Sequence, residues 1–222
     1  MIEAAFWDCD NTLVQSEPLH WRKHVDTCKE YGIELDPVDD RHFIHQSRGV
    51  EIYNWLVKEK SLKETQENYL NKVDAIYKSL MPSIQLAPHI AETLEYLKSK
   101  NIPQAIVSNG RNDPVNTALN AAKIANYFDA IVTYEVSPIG KPHPDPCLIG
   151  LKMLEDKLGR KLTAANCIFV DDLDLGVTAG KAAGMIAIHA PPPFLPIPSD
   201  KADHVITTDH SLLDLCRTLC GD

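Results

Sequence analysis

The sequence predicts an α/β fold, a Rossmann-like doubly wound parallel sheet with an all-helical cap inserted after its first strand. Short runs of β-branched and aromatic residues alternate with helical patterns along most of the chain. Such alternation is typical of a parallel sheet that helices cover on both faces. The alternation stops after the first run and resumes beyond residue 81. Polar residues follow several of the runs directly, as they do at the ligand-binding edge of open α/β sheets.

Five apolar runs are predicted to form the core strands: residues 4–7, 105–107, 130–132, 168–170 and 186–188. From about residue 17 to residue 80 the period is helical instead, with Trp21, Val25 and Cys28 on one stripe. We therefore assign residues 16–81 to a helical cap domain, and residues 1–15 and 82–222 to the α/β core. A proline-rich loop is predicted at residues 191–198.

Composition limits the classes of function. With 222 residues, of which 44% are hydrophobic, the chain can bury a core that carries a sizeable insertion. Its formal charge of −9, from 22 Lys and Arg against 31 Asp and Glu, argues against a nucleic-acid partner. No window approaches the roughly 18 apolar residues of a membrane span, and the first residues resemble a strand rather than a leader. We expect a cytoplasmic protein that binds no membrane and is a monomer or a weak dimer.

The six cysteines are scattered without CxxC spacing, which argues against a disulfide framework or a zinc site. Cys216 and Cys220 lie one helical turn apart and have the spacing of a ligand pair. We prefer the interpretation that both pack as small apolar residues on a C-terminal helix. Cys9 is likewise expected to pack in the core.

Two carboxylates, Asp8 and Asp10, follow the first predicted strand. Residues two apart in a strand point the same way, so both side chains can face one pocket. Alone this pattern is weak, because a strand-terminal turn capped by acids would look the same. Asn11, next in the turn, tolerates the left-handed backbone conformation that such a turn requires.

Three later motifs strengthen the functional interpretation. Ser108 and Asn109 follow the second core strand, Lys141 lies in a loop rich in Gly and Pro, and Asp171 and Asp172 follow another strand. Because ligands of open α/β sheets bind outside the carboxyl ends of the strands, these side chains are expected to share one site.

The four motifs, in this order and spacing, resemble those of the haloacid dehalogenase superfamily of phosphohydrolases. The resemblance covers nearly the whole chain, since the helical insertion lies where that family has a cap domain of the first type. It implies that Asp8 is the nucleophile and Asp10 the acid/base. Within the superfamily, the chain looks most like the bacterial sugar-phosphatase and β-phosphoglucomutase branch.

The residue types fit this chemistry. A carboxylate nucleophile repels a phosphoryl group, so we expect Mg²⁺ as cofactor, with Asp8 and Asp172 as direct ligands. The family pattern adds the backbone carbonyl of Asp10 as a metal ligand and places Asp171 behind Asp172 or behind a water on the metal. Lys141 would neutralise the phosphate and the charge on Asp8.

Proton transfer is assigned to Asp10, which would protonate the leaving oxygen and then deprotonate the attacking water. That role calls for a pKa nearer neutrality than a free Asp has, and enclosure by the cap is expected to raise it. The hydroxyl of Ser108 and the backbone N–H of Asn109 are expected to donate to phosphate oxygens. Thr12 is a further candidate for phosphate binding. The alternative is that its side chain only supports the turn.

Substrate choice is assigned to the cap, with His20 and Arg48 as the main expected contacts. His20 also fits a hinge position, and Arg48 also fits a solvated surface residue. Further candidates are His45, Gln46 and, on the core side, Arg111. Asp174 is expected to cap the helix after the acidic pair rather than to bind metal.

The predicted function is a magnesium-dependent phosphatase that hydrolyses a small phosphate ester, a sugar phosphate or phosphorylated sugar acid, through an aspartyl-phosphate on Asp8. A phosphosugar mutase is the main alternative, because it would use the same two carboxylates. A non-catalytic binding protein on the same fold is less favoured, since Asp8, Asp10, Lys141 and the acidic pair are all present. A hydrolytic dehalogenase has no use for Asp10 or for a metal site.

Overall fold

The computed structural model describes residues 1–192, 197–207 and 211–222, apart from the side chain of Gln46. Within these residues, six parallel strands form one sheet in the order β3-β2-β1-β4-β5-β6. The strands are β1 Ala4–Trp7, β2 Gln104–Val107, β3 Ala130–Val132, β4 Cys167–Asp171, β5 Ile186–His189 and β6 His204–Val205. The predicted parallel α/β fold is confirmed.

All five predicted strands are present, and β6 is the one that the sequence prediction missed. It has only two residues, too few for any periodic signal, and it pairs with β5 at the edge of the sheet. The predicted loop at residues 191–198 lies partly outside the described residues, which omit 193–196.

The helices of the described chain occupy the connections between strands. They are α1 Glu17–Glu30, α2 Asp39–Gln46, α3 Gly49–Glu59, α4 Gln66–Leu80, α5 Ile90–Ser99, α6 Asn112–Ala121, α7 Asp145–Leu158, α8 Asp174–Ala182 and α9 Leu212–Cys220. Short 3₁₀ helices lie at Met81–Ser83, Ala125–Tyr127 and Ala164–Asn166. No helix in the described ranges is long and apolar enough to cross a membrane.

Both faces of the sheet are buried. Along β1, Ala5 and Trp7 belong to one apolar cluster, which α5, α6 and α9 complete, whereas Ala4 and Phe6 belong to another, which includes α7 and α8. This division follows from the alternation of side chains across a strand. The Trp7 indole is fully buried and donates to Gln104 Oε1 at 3.1 Å, which satisfies its polar group inside the core.

The cysteines behave as apolar packing residues. All six are buried and unpaired, and Cys216 and Cys220 pack on α9 in the same cluster as α5. The packing interpretation of this pair is therefore confirmed.

Residues 17–80, all of which have a described backbone, hold α1 to α4 and no strand. This helical segment has its own apolar cluster, separate from the two beside the sheet. Its fully or nearly fully buried members include Cys28, Ile52, Leu56 and Tyr69. The chain leaves and returns at one place, because Gln15 N donates to Gln85 O at 2.8 Å. The segment is thus attached to the sheet through two adjacent crossings.

Removing a side chain from the segment's cluster should destabilise it. Leu56 is 0% exposed, so Leu56→Ala is expected to lower the free energy of unfolding by about 2–5 kcal/mol through lost burial and a residual cavity. Its neighbour Val57 is 42% exposed, and Val57→Ala should cost no more than about 0.5 kcal/mol. Urea denaturation of both variants measures the difference, and equal losses would contradict the assigned packing.

Candidate active site

The acidic residues meet because β1 and β4 are neighbouring parallel strands. Trp7 pairs with Val170, so Asp8 comes directly after β1 beside the end of β4, where Asp171 and Asp172 lie. One ligand atom from each of the three carboxylates lies within 4.8 Å of the others. Their exposure is 6%, 1% and 3% respectively. Three carboxylates in so buried a place require positive charge nearby.

Lys141 supplies part of that charge. Its ammonium is 2.5 Å from Asp8 Oδ1 and 2.6 Å from Asp171 Oδ2, and the residue is only 5% exposed. Burial alone would lower the pKa of Lys141, but the two carboxylates raise it above its ordinary value. Lys141 is therefore a permanent cation that bridges β1 and β4.

Asn109 holds the backbone of this lysine, a role that the sequence prediction missed. Asn109 Oδ1 accepts from Lys141 N at 2.8 Å, and Asn109 Nδ2 donates to Lys141 O at 3.0 Å. The predicted donor Ser108 lies beside it at the end of β2, 4% exposed, where its hydroxyl accepts from Gly110 N at 3.0 Å. The motif after β2 thus fixes the motif that carries Lys141.

One cation does not neutralise the acidic group. Burial raises the pKa of Asp8 to about 7, against the opposing effect of Lys141. Burial and the charges of Asp171 and Asp8 raise the pKa of Asp172 well above its ordinary value. Asp172 Oδ2 is buried without a hydrogen-bond partner among the described residues. An unpartnered buried carboxylate oxygen in an anionic cluster fits a place for a metal cation.

The three carboxylates are not equally available to such an ion. Asp171 Oδ2 already accepts from Lys141, and its Oδ1 accepts from Leu173 N at 2.9 Å. Within the described part of the chain, Asp172 Oδ2 has no partner, and Asp172 Oδ1 accepts one long bond of 3.4 Å from Thr12 Oγ1. Asp8 and Asp172 are consequently the better candidates for direct ligands.

Gly176, in the first turn of α8, allows Asp171 to occupy its position. A Cβ atom on Gly176 would lie 1.8 Å from Asp171 Oδ2, far inside any allowed contact. The Asp171 carboxylate therefore lies against the helix backbone at a place that only glycine leaves open.

The predicted acid/base Asp10 lies among groups from the helical segment. His20 Nε2 is 2.6 Å from Asp10 Oδ1, and the Tyr77 hydroxyl donates to the same oxygen at 3.0 Å. Burial favours a higher pKa for Asp10, but His20 and Lys23 outweigh it and hold the pKa below its ordinary value. The expectation of a raised pKa was wrong, because the segment brings hydrogen bonds and positive charge to Asp10 as well as enclosure.

The turn after β1 has the predicted geometry. Asn11 adopts the left-handed conformation with φ of 59°, and its side chain accepts from Glu17 N at 2.7 Å. Thr12 is 3% exposed and its hydroxyl donates to Asp172, which places it under the acidic group and favours bracing over substrate contact.

Two arginines predicted near the substrate join the helical segment to the sheet's loops. Arg48 Nη2 donates to Pro138 O at 2.8 Å, and its guanidinium lies 5.0 Å from the centre of the Tyr134 ring. Arg111 Nη1 pairs with Asp74 of α4 at 2.7 Å. Both arginines line the cavity, as does His45, but each arginine is also held by the contacts just described. The side chain of Gln46 lies outside the described residues.

Asp174 does not cap α8 through its side chain, contrary to the prediction, because Leu173 occupies the N-cap position. The Asp174 carboxylate accepts instead from Ser199 Oγ and Lys201 Nζ, both at 2.6 Å. Ser199 also donates its backbone N–H to His189 Nδ1 at 3.0 Å, and His189 Nε2 lies 2.9 Å from Asp172 O. These contacts support the acidic turn from behind, and no sequence motif indicated them.

The acidic group opens into a cavity of about 190 Å³ between the sheet edge and the helical segment. Asp8, Asp10, Ser108 and Lys141 line it from the core, and His20, Lys23 and Arg48 are among the residues that line it from the helical segment. Sequence reasoning missed Lys23, although it lies three residues after His20 and so shares a face of α1.

Comparisons with known proteins agree with this geometry. The family model of haloacid dehalogenase-like hydrolases matches residues 5–190. The chain belongs to this family. Its structure superimposes on that of CbbY from Rhodobacter sphaeroides in complex with phosphate, with a TM-score of 0.84, 22% identity, and 93% and 94% of the two chains covered. At this identity the likeness shows the fold.

Curated relatives of the hydrolase are phosphatases. It is 30% identical to the 6-phosphogluconate phosphatase of Escherichia coli (strain K12) over 83% of this chain and 80% of the relative. Hexitol phosphatase A of the same strain is 29% identical, with 83% and 82% covered. The predicted enzyme class, a phosphoric monoester hydrolase of the haloacid dehalogenase type, is confirmed. The roles of individual site residues stay predictions.

Filling the space at Gly176 should disable the hydrolase. Gly176→Ala is expected to displace Asp171 and with it Lys141, lowering phosphatase kcat/KM on the order of 100-fold, because misplacement of about 1 Å has that effect. Thr178→Ala, on the same helix and outside the cavity lining, is the control. Steady-state kinetics on an aryl phosphate measures both, and a fully active Gly176→Ala variant would contradict the assigned position of Asp171.

Proposed function

We propose that this protein is a magnesium-dependent phosphatase that hydrolyses a small sugar phosphate or phosphorylated sugar acid through an aspartyl-phosphate on Asp8. The observation that carries the proposal is the buried contact of Lys141 with Asp8, at 2.5 Å, in the wall of the cavity. A lysine in this position holds the carboxylate and adds positive charge where a phosphoryl group would arrive.

The acidic group supports magnesium as the cofactor. Asp8 and Asp172 would hold the ion, and the family resemblance adds the backbone carbonyl of Asp10. The unpartnered Asp172 Oδ2 and the raised pKa values of Asp8 and Asp172 fit an all-oxygen site that lacks one cation. Bound there, the ion would neutralise negative charge between nucleophile and phosphate. With both of its oxygens taken, Asp171 would orient Lys141 rather than bind metal.

Asp8 would attack phosphorus with the oxygen that Lys141 does not hold. Lys141 bonds Oδ1, and Oδ2 accepts no hydrogen bond from a described residue. The new bond joins Oδ2 to phosphorus while the bond to the ester oxygen breaks, and the alcohol leaves with a proton. Ser108 Oγ and Asn109 N–H, at the end of β2, would donate to the phosphate oxygens.

Asp10 would give the alcohol its proton and later take one from the water that cleaves the aspartyl-phosphate. Its lowered pKa in the free protein favours the ionised form, which suits the second, base-catalysed half of the reaction. Entry of a phosphate dianion beside Asp10 would raise its pKa, since a nearby negative charge disfavours the ionised carboxyl. The helical segment would therefore orient the acid/base residue, Asp10, through the hydrogen bonds of His20 and Tyr77.

Residues 16–81 would act as the cap domain that closes the site. The separate apolar cluster of the helical segment and its attachment at Gln15 and Gln85 support this assignment. The small cavity favours a compact ester, and the relatives named for 6-phosphogluconate and hexitol phosphates favour a sugar derivative. Among the described residues, no contact favours the mutase alternative, which would have to exclude water from the aspartyl-phosphate.

Phosphate release tests the proposed function. The wild-type protein is expected to release inorganic phosphate from sugar phosphates and an aryl phosphate with Mg²⁺, and to lose this activity in excess chelator. Asp8→Asn should lower kcat by at least about 10³-fold, since it removes the nucleophile. Val57→Ala, outside the cavity lining, is the matched control. Release that persists in chelator, or in Asp8→Asn, would overturn the mechanism.

Metal binding should depend on pH. With the pKa of Asp8 at about 7 and that of Asp172 raised, the metal-free group keeps protons below neutrality that Mg²⁺ must displace. Magnesium affinity is therefore expected to rise as pH increases through about 7, with proton release at pH values below it. Calorimetry in two buffers of different ionisation enthalpy measures this release. Fewer protons should leave in Asp8→Asn, and pH-independent affinity in the wild type would contradict the assigned ligands.

A further inference from the structure

Lys23 is a buried cation that the reaction as proposed does not use. It lies on α1, is 7% exposed, and lines the same cavity as Asp8. Its ammonium has no hydrogen-bond or ion-pair partner among the described residues, and its close contact is the face of the Tyr77 ring, 4.3 Å from the ring centre. Burial lowers the pKa of Lys23 to about 8, with the charges of Asp10 and Asp74 opposing the shift, so the group stays largely charged at neutral pH.

The nearby carboxylates, whose charges favour the protonated lysine, have other hydrogen-bond donors. Asp10 accepts from His20 and from Tyr77, and Asp74 pairs with Arg111 at 2.7 Å. A cation buried away from water costs free energy unless something pairs with it, and a ring face compensates only partly. Lys23 is thus a charged donor in the cavity lining that has no hydrogen-bond acceptor among the described residues.

The other cations of the cavity differ from Lys23. Of the described lysines and arginines that line it, Lys141 is held by two carboxylates, Arg111 by Asp74, and Arg48 by Pro138 O and the Tyr134 ring. Lys141 belongs to the phosphate end of the cavity, because it contacts Asp8. Lys23 belongs to the side formed by the helical segment, where the organic part of a phosphate ester would lie.

We propose that Lys23 is a specificity residue that binds a carboxylate on the organic part of the substrate, so that the enzyme prefers phosphorylated sugar acids to neutral sugar phosphates. This inference rests on the proposed function and narrows its substrate class. A carboxylate would give the Lys23 ammonium the acceptor that it lacks, in a water-poor place where a charge-assisted hydrogen bond is strong.

A matched pair of ligands isolates this contact. 6-Phosphogluconate and glucitol 6-phosphate share their chain and phosphate and differ at one end, where the first carries a carboxylate and the second a hydroxymethyl group. Their dissociation constants are measured by calorimetry with Mg²⁺ on Asp8→Asn, which prevents turnover, and on the double variant Asp8→Asn, Lys23→Met. Asp8→Asn, Lys29→Met removes an exposed lysine from the same helix and is the control.

Asp8→Asn is expected to bind the acid about 10- to 100-fold more tightly than the alditol, the value of one charge-assisted hydrogen bond. Lys23→Met should reduce the preference to about twofold or less, and Lys29→Met should preserve it. If Lys23 acted only through Asp10, Lys23→Met would weaken the binding of both ligands equally. The ratio of the two dissociation constants would then stay unchanged, which would overturn the inference. Equal affinities in Asp8→Asn, or binding of neither ligand, would also overturn it.

The same measurements separate this inference from the proposed function. Hydrolysis of an aryl phosphate by the wild-type protein would depend on Asp8 and Mg²⁺. An aryl phosphate has no carboxylate that Lys23 could bind. If the wild type hydrolyses no ester while the acid preference depends on Lys23, the phosphatase proposal fails and the carboxylate subsite is supported.

Discussion

The bridge from Lys141 to Asp8 and Asp171 is the interaction on which the site depends. Neighbouring parallel strands bring the two carboxylates together, and without a buried cation between them the two buried negative charges would repel each other. The rest of the site supports this bridge. Asn109 fixes the backbone of Lys141 with two hydrogen bonds, and Gly176 leaves room for Asp171.

Charge is balanced differently on the two sides of the cavity. At the sheet edge, carboxylates outnumber the one lysine, and this excess accounts for the raised pKa values of Asp8 and Asp172 and for a place that a metal ion fits. On the helical segment, the hydrogen bond from His20 and the positive charge of Lys23 lower the pKa of Asp10. Residues of that segment therefore influence the pKa of Asp10 as well as line the cavity beside it.

Much of the fold and of the sheet-edge site follows from local signals in the sequence. Apolar runs end at Asp8, Ser108 and Asp171, and parallel strands place such ends at one edge. The features of the site that the sequence did not predict depend on contacts between residues far apart in the chain. Nothing near Arg111 in the sequence shows that it forms an ion pair with Asp74. In the sequence, Lys23 looks like any polar residue of an amphipathic helix, and only the structure shows its contact with the Tyr77 ring. The pKa of Asp10 was mispredicted for the same reason, because its enclosure could be expected from the sequence, whereas its neighbours His20 and Lys23 could not.

The proposed reaction depends on covalent transfer of the phosphoryl group to Asp8 during turnover. Borohydride reduction of the acid-quenched enzyme, followed by peptide mass spectrometry, tests it directly, because it converts an aspartyl-phosphate to homoserine. Homoserine is expected at position 8, formed only when substrate and Mg²⁺ are both present. Steady phosphate release with an unmodified Asp8, or with the label on another residue, would contradict it.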